Sequence, residues 1–165
     1  MSIFQHYQSR YDQAQEESYS IQEFLEICQK DRLAYASAAE RLLKAIGEPE
    51  MIDTSSEPTL SRIFSNRVIA RYPAFKEFYG MEDAIEQIVA YLTHASQGLE
   101  EQKQILYLLG PVGGGKSSLA EKLKALMQLE PIYVLSANDE RSPVNDHPFC
   151  LFDVNADGKI LQEQY

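Results

Sequence analysis

A glycine-rich run at residues 110–117 contains the residue types that hold a chain of phosphates. It reads Gly-Pro-Val-Gly-Gly-Gly-Lys-Ser and matches the pattern G-x-x-x-x-G-K-[ST] at every fixed position. Glycines without a Cβ let the backbone curl and bring its N–H groups close to phosphate oxygens. A lysine ammonium offers a point charge to the β- and γ-phosphates, and a serine hydroxyl can ligate Mg²⁺. We therefore predict that Lys116 is a catalytic residue and that Ser117 is a metal ligand.

The segments on both sides of the loop have the patterns that this chemistry requires. Residues 104–109 form an apolar run typical of a buried parallel strand, and residues 118–127 are apolar at helical spacing. A helix that starts at the loop adds free backbone N–H groups and the positive end of its dipole. The alternative reading is a glycine-rich turn with a lysine on its rim. The predicted nucleotide-binding residues here are Gly110, Pro111, Val112, Gly113, Gly114, Gly115, Lys116, Ser117 and Ser118.

Composition limits the classes of function that remain. The chain has 165 residues, of which 44% are hydrophobic and 24% charged, as in ordinary soluble domains. Its net charge of −10 and the absence of a basic stripe argue against nucleic-acid binding. The sequence has neither an apolar stretch of about 18 residues nor a signal-peptide pattern, so we expect no membrane role and a cytoplasmic location. The two cysteines, Cys28 and Cys150, are too far apart to suggest a disulfide framework.

Residues 1–47 are predicted to form a helical appendage. A capping box at Ser20-Ile-Gln-Glu opens a helix to about residue 30, and a second helix is expected over residues 32–46. Gly47 is placed to end the second helix as a left-handed cap. A further helix face is indicated before the capping box by Phe4, Tyr7 and Tyr11.

The remaining pattern alternates between strands and helices. Residues 48–70 have the composition of a linker with a short helix, although an ordered surface loop fits equally well. Residues 78–92 predict an amphipathic helix, and residues 131–135 and 149–152 predict further strands. We therefore expect an α/β fold with a parallel sheet, with residues 71–165 as the first part of a nucleotide-binding domain.

Two longer strings narrow this assignment. Phe-Tyr-Gly-Met-Glu-Asp-Ala-Ile lies about thirty residues before the loop, and Ser-Pro-Val-Asn-Asp-His-Pro-Phe-Cys-Leu-Phe-Asp occupies residues 142–153. With the loop, they resemble the AAA+-like P-loop module of PrkA-type bacterial serine protein kinases. The resemblance implies a longer chain, a P-loop NTPase sheet that is incomplete here, and ATP with Mg²⁺ as cofactors. It also implies γ-phosphate transfer to hydroxyls of a protein substrate and assembly into a homo-oligomer.

The resemblance further implies that Phe78, Tyr79 and Gly80 border the adenine. The alternative is that these residues only begin a helix packed on a sheet edge. Other functions share the same loop: an AAA+ ATPase motor or remodelling module, a small-molecule kinase, or a partner-binding module that nucleotide regulates. A small-molecule kinase is disfavoured because about a hundred residues precede the first predicted strand.

Weaker patterns lie near the end of the sequence. Asp153 is the nearest candidate for an acidic Mg²⁺ ligand after a strand. Residues 153–160 resemble the first part of a calcium loop, but a turn between two strands explains them as well. His147 and Cys150 have a zinc-like spacing without a second ligand pair.

Overall fold

The computed structural model describes residues 17–138 and 140–164, which form a mixed helical and stranded structure. The predicted helix face at Phe4, Tyr7 and Tyr11 lies outside these residues. The helices are α1 (Ile21–Lys30), α2 (Ala38–Ile46), α3 (Pro58–Phe64), α4 (Glu82–Ser96), α5 (Lys116–Met127) and α6 (Gly158–Gln164). The strands are β1 (Glu50–Asp53), β2 (Val68–Arg71), β3 (Ser136–Ala137) and β4 (Glu140–Arg141). None of the helices in the described residues is both long enough and apolar enough to span a bilayer.

The chain divides into two compact units, and the larger one comprises residues 32–133. In this unit, α2 packs against α4 and α5, and the strand pair β1–β2 packs beside α4. β1 and β2 are antiparallel, with Glu50 opposite Arg71 and Asp53 opposite Val68. The buried apolar side chains of this core are Leu42, Ile46, Ala70, Tyr72, Phe75, Ile85, Ile88, Leu92, Leu119 and Leu126.

Of the described residues, the smaller unit comprises residues 17–31, 134–138 and 140–164. Within it, the antiparallel pair β3–β4 forms a short hairpin, and Phe24 of α1 packs edge-on against His147 and Phe149 at ring-centroid distances of 5.8 and 5.6 Å. Cys28 is buried on the same helix. This unit therefore has its own small aromatic core.

Side-chain caps fix where the first helices begin. The predicted capping box is confirmed at α1, where the Ser20 backbone N–H donates to Glu23 Oε2 at 2.7 Å. A second box at Ser37 and Glu40 starts α2, so the helix predicted over residues 32–46 is divided into a 3₁₀ turn (Arg32–Tyr35) and α2. Gly47 ends α2 with φ 77° and ψ −175°, so its φ is positive as predicted but its conformation is not the left-handed helical one.

The predicted parallel strands are not found, and this is a correction to the sequence analysis. Residues 104–109 and 131–135 belong to no strand, and the described residues form two antiparallel two-stranded sheets. Strands exist only when a neighbour pairs with them, and here the run before the loop has no such neighbour: Ile105 and Leu109 are 90% and 81% exposed. The backbone of Leu135 instead bonds to Ser142 and Asp146, which close a local loop.

Other boundaries also differ from the sequence predictions. The predicted strand at residues 149–152 is a 3₁₀ helix (Pro148–Leu151), which Pro148 begins and the ring of His147 caps. The predicted helix over residues 78–92 begins only at Glu82, because Gly80 adopts a positive φ of 74°. Part of the predicted linker forms β1, since its partner β2 supplies the pairing. The domain boundaries at residues 47 and 70 stay a prediction.

Removing the side chain of Leu119 tests how the loop helix is held to the core. Leu119 is 1% exposed, and we expect Leu119→Ala to lower the free energy of unfolding by about 2–5 kcal/mol through lost burial and a residual cavity. Leu129→Ala is the control, because Leu129 is 66% exposed and its loss should change stability by less than about 0.5 kcal/mol. Urea unfolding followed by circular dichroism measures the free energy of unfolding of both variants. Equal losses for the two would contradict the burial of Leu119 in the core.

The cap of α2 should make stability depend on pH. Partial burial raises the pKa of the Glu40 carboxyl, but the hydrogen bonds from Ser37 and the charge of Arg32 outweigh it, so the pKa lies below its usual value. A carboxyl whose pKa is lower in the folded state than in the unfolded state stabilises the fold at pH values above its unfolded-state pKa. This stabilisation is lost as the pH falls through the folded-state pKa. Glu40→Gln should therefore cost about 0.5–1 kcal/mol at pH 7 and less near pH 3, as measured by urea unfolding. A cost independent of pH would rule out the charged cap.

Candidate nucleotide-binding site

The glycine-rich loop runs directly into α5. Because the N-cap of this helix is a glycine, several backbone N–H groups of the first turn have no hydrogen-bond partner within the helix or its cap. α5 starts at Lys116, with Gly115 as its N-cap at φ 74° and ψ 2°. The first helical hydrogen bond joins the Leu119 N–H to the Gly115 carbonyl at 2.9 Å. The N–H groups of residues 116–118 precede that bond, and a glycine cap has no side chain to accept from them. They are therefore available to an external acceptor at the positive end of a 12-residue helix.

Gly113, Gly114 and Gly115 occupy conformations or spaces that larger residues adopt only with strain. Gly113 and Gly115 have φ values of 81° and 74°. A Cβ on Gly115 would lie 3.0 Å from Met81 Sδ, and one on Gly114 would lie 3.1 Å from the Pro111 carbonyl oxygen. The Gly114 N–H donates to that same carbonyl at 3.2 Å, which closes the loop into a tight turn. The glycines thus allow a curled backbone with its N–H groups near the start of α5.

Lys116 folds back over the loop that precedes it. Its Nζ donates to the carbonyl oxygens of Gly110 and Pro111 at 2.7 and 2.5 Å. These partners are neutral and partly open to solvent, so an anion at the same place would compete for the ammonium with a full negative charge. The lysine is therefore positioned above the mouth of the loop rather than directed away from it.

The other predicted phosphate-binding residues lie on the exposed side of this turn. Ser117 and Ser118 are exposed in the first turn of α5, and Val112 at the tip of the loop is fully exposed. The structure thus brings all nine predicted residues of the loop together on one accessible surface. Met81, which contacts the loop, could not be recognised from the sequence because its position depends on the folding of distant residues.

Residues 77–81, here called the aromatic turn, precede α4. The turn lies beside the glycine-rich loop because Met81 approaches Gly115. Phe78 packs on Phe75 at a ring-centroid distance of 6.1 Å and lies before the first residue of α4, Glu82. Tyr79 is 78% exposed, and the Arg71 guanidinium lies over its ring at 5.8 Å. Gly80 adopts a positive φ, and this conformation turns the chain toward α4. The partly buried Phe78 therefore anchors the turn, while Tyr79 presents a ring face at the surface.

An ion pair connects this turn with the loop helix. Glu77 accepts a hydrogen bond from Lys122 Nζ of α5 at 2.7 Å. The bond to Lys122 holds the pKa of the Glu77 carboxyl below its usual value, so this carboxyl is ionised at neutral pH. The pair fixes the turn relative to α5 at a second point, in addition to the contact between Met81 and Gly115.

The weaker sequence candidates show no metal geometry. Asp153 Oδ1 accepts the Asn155 N–H at 2.7 Å, and Asp157 Oδ2 accepts the Asp153 N–H at 3.0 Å, as in an Asx turn. A turn between two strands was the sequence-based alternative. The structure instead places this turn between the 3₁₀ helix (Pro148–Leu151) and α6. Over residues 17–138 and 140–164, no three His, Cys, Asp or Glu side chains are grouped to hold a metal ion.

Comparison with known proteins extends over most of the chain. The sequence profile described as "PrkA AAA domain" matches residues 19–165. "Serine/threonine kinase YeaG" of Escherichia coli K12 is 74% identical over 165 residues, which is 100% of this chain and 26% of that protein. The protein of the same name from Escherichia coli O157:H7 has the same identity and coverage. "ATP-dependent protease PrkA" of Bacillus subtilis is 31% identical over 104 residues, 58% of this chain and 16% of that protein.

None of the solved structures matches the chain. The chain spans about a quarter of the length of the Escherichia coli relatives. The resemblance inferred from the residues around the loop agrees with the profile, which includes both the loop and the aromatic turn. The AAA type of the profile implies a P-loop NTPase fold, of which the loop and α5 are a part. The chain belongs to the PrkA AAA domain family.

Proposed function

We propose that this chain binds MgATP through residues 110–118 as the nucleotide-binding module of a serine/threonine protein kinase. The observation that supports this proposal best is the start of α5, where Gly115 leaves the first-turn N–H groups without helical partners and Lys116 lies over the loop. A polyphosphate supplies the acceptors and the negative charge that this arrangement lacks.

Each residue of the loop has a defined role in this proposal. The backbone N–H groups of the loop and the first turn of α5 donate to phosphate oxygens. Lys116 leaves the carbonyls of Gly110 and Pro111 and contacts the β- and γ-phosphates. The Ser117 hydroxyl holds Mg²⁺, which neutralises charge on the phosphates during transfer. The curvature set by Gly113 and Gly115 brings these donors together.

The adenine is proposed to lie against the aromatic turn. Tyr79 offers an exposed ring to the base, and Gly80 lets the chain turn closely beside it. The contact between Met81 and Gly115 places this turn next to the loop, so one nucleotide can reach both.

The kinase assignment comes from the relatives. The Escherichia coli relatives carry the name serine/threonine kinase at 74% identity, which supports transfer of the γ-phosphate to a protein hydroxyl. The larger part of each relative lies beyond the region that this chain matches, so further groups for the transfer are expected there. We also propose a cytoplasmic protein that forms a homo-oligomer through its AAA module.

An ATPase without kinase activity is the second candidate. The Bacillus subtilis relative is named an ATP-dependent protease, and it matches 58% of this chain at 31% identity. With γ-labelled ATP and the full-length protein, label on serine or threonine of a protein would favour the kinase. Label released only as free phosphate would favour a motor or remodelling module. A module that binds a partner under nucleotide control would retain its partner in a Lys116→Ala variant.

Replacing the loop lysine tests the phosphate site. Lys116→Ala should weaken MgATP binding by about tenfold or more, because a charge-assisted hydrogen bond to the phosphates is worth about 1.5–3 kcal/mol. Isothermal calorimetry on the full-length protein measures the dissociation constant. Lys124→Ala is the matched control, since Lys124 is exposed on the same helix and pairs only weakly with Glu121. Equal dissociation constants for wild type and Lys116→Ala would remove the phosphate site.

Truncating the exposed tyrosine tests the base site separately. Stacking of a base on an aromatic ring is worth about 1–3 kcal/mol, so Tyr79→Ala should weaken MgATP binding by roughly fivefold to a hundredfold. Tyr79→Phe keeps the ring and should bind as the wild type does. Inorganic triphosphate has no base, and its affinity should be unchanged in both variants. An unchanged MgATP affinity in Tyr79→Ala, or an equal loss of MgATP and triphosphate affinity, would contradict the contact of Tyr79 with the base.

A further inference from the structure

A buried carboxylate beside the aromatic turn has an oxygen that nothing satisfies. Glu82 is the first residue of α4 and only 5% exposed, and its Oε2 atom is buried without a hydrogen-bond partner. Such an atom is costly, because it has left water without gaining a donor. An unpaired buried acceptor in a protein is therefore a reason to look for a ligand that supplies the donor.

Glu82 lines a small cavity of about 10 Å³ in the larger unit. The other walls include Arg71 and the aromatic side chains of Tyr72, Phe75 and Phe78. A space of this size accepts one water molecule or one polar group of similar size. The cavity thus fits a single hydrogen-bond donor and excludes a whole ring.

No cation of the described residues neutralises Glu82. It takes part in none of the ion pairs of residues 17–138 and 140–164. Arg71 lines the same cavity, but its guanidinium lies over the Tyr79 ring and does not bond to the carboxylate. The Oε2 atom is therefore an acceptor that no donor of the described residues satisfies.

The cavity is close to the surface already proposed for the base. Tyr79 is exposed and is connected to the cavity wall through Arg71, and Phe78 is itself part of the wall. Met81, next to Glu82, approaches Gly115 of the loop so closely that a Cβ there would lie 3.0 Å from its Sδ. One short stretch of chain therefore contacts the phosphate loop and supplies the unpaired acceptor.

We infer that Glu82 is a specificity-determining residue that accepts a hydrogen bond from the 6-amino group of adenine. This inference rests on the proposed function. An amino group is about the size of a water molecule and carries the donor that the cavity lacks. A 6-keto purine would place a carbonyl oxygen against the carboxylate, so two acceptors would meet in a space without water. The site therefore rejects guanine and hypoxanthine bases.

The test compares nucleotides that differ only at position 6 of the purine. We expect the full-length wild-type protein to bind MgATP about tenfold or more tightly than MgITP or the Mg²⁺ complex of purine riboside triphosphate, by calorimetry. In Glu82→Gln the amide can rotate to donate to a keto group as well as accept from an amine. The preference for ATP over ITP should fall to within about threefold in this variant.

The control is Glu86→Gln, which removes one negative charge from an exposed position one turn further along α4. It should keep the wild-type preference, which separates the hydrogen bond from a general change of charge. The comparison of ATP with purine riboside triphosphate needs only the wild type, so an absent preference overturns the role of Glu82 even if Glu82→Gln is unstable.

The outcomes distinguish this inference from the proposed function. Tight MgATP binding that depends on Lys116, with no preference over ITP or purine riboside triphosphate, overturns the role of Glu82 and leaves the phosphate site intact. An unchanged preference for ATP over ITP in Glu82→Gln also overturns the role of Glu82. The cavity would then hold a water molecule, or Glu82 would have a purely structural role. Absence of binding for all these nucleotides overturns both proposals.

Discussion

The start of α5 is the constraint on which the candidate site depends. A helix must leave its first N–H groups without intrahelical acceptors, and most helices cover them with a polar N-cap side chain, as Ser20 and Ser37 do for α1 and α2. The N-cap of α5 is Gly115, which has no side chain that can do this. α3 and α4 likewise lack a side-chain cap, so an open helix start alone does not identify a binding site. What distinguishes α5 is the glycine-rich loop before it and the Lys116 ammonium that lies over that loop.

The N-terminus of α5 must be fixed in position to bind a ligand. Two kinds of contact fix it. Leu119 is buried in the core one turn into α5, which fixes the helix axis through apolar packing. Glu77 and Lys122, together with the contact of Met81 with Gly115, fix the neighbouring turn laterally. Burial supplies most of the stability, because a partly exposed ion pair contributes little. The ion pair instead sets the position of the turn relative to the loop.

The local features of the fold were predictable from the sequence, and the pairing of strands was not. Capping boxes and the glycine loop depend on residues a few positions apart, so their patterns identify α1 and the start of α5. Strands depend on distant partners, which is why residues 104–109 have a strand-like pattern but no strand, and why β1 formed inside an apparent linker. Glu82 was also missed, because its burial follows from tertiary packing around an otherwise ordinary acidic residue in a first helical turn.

The unpaired oxygen of Glu82 and the open end of α5 have opposite chemical character, and together they describe a single kind of ligand. One end of it must carry acceptors and negative charge for the α5 amides and Lys116, and the other end must carry one small donor for a carboxylate. Either demand alone would fit many molecules, such as inorganic phosphate or a water. A molecule that satisfies both needs an anionic tail, a flat surface for Tyr79 and an amino group beyond it. ATP has these three features in that order, whereas GTP lacks the amino group at position 6.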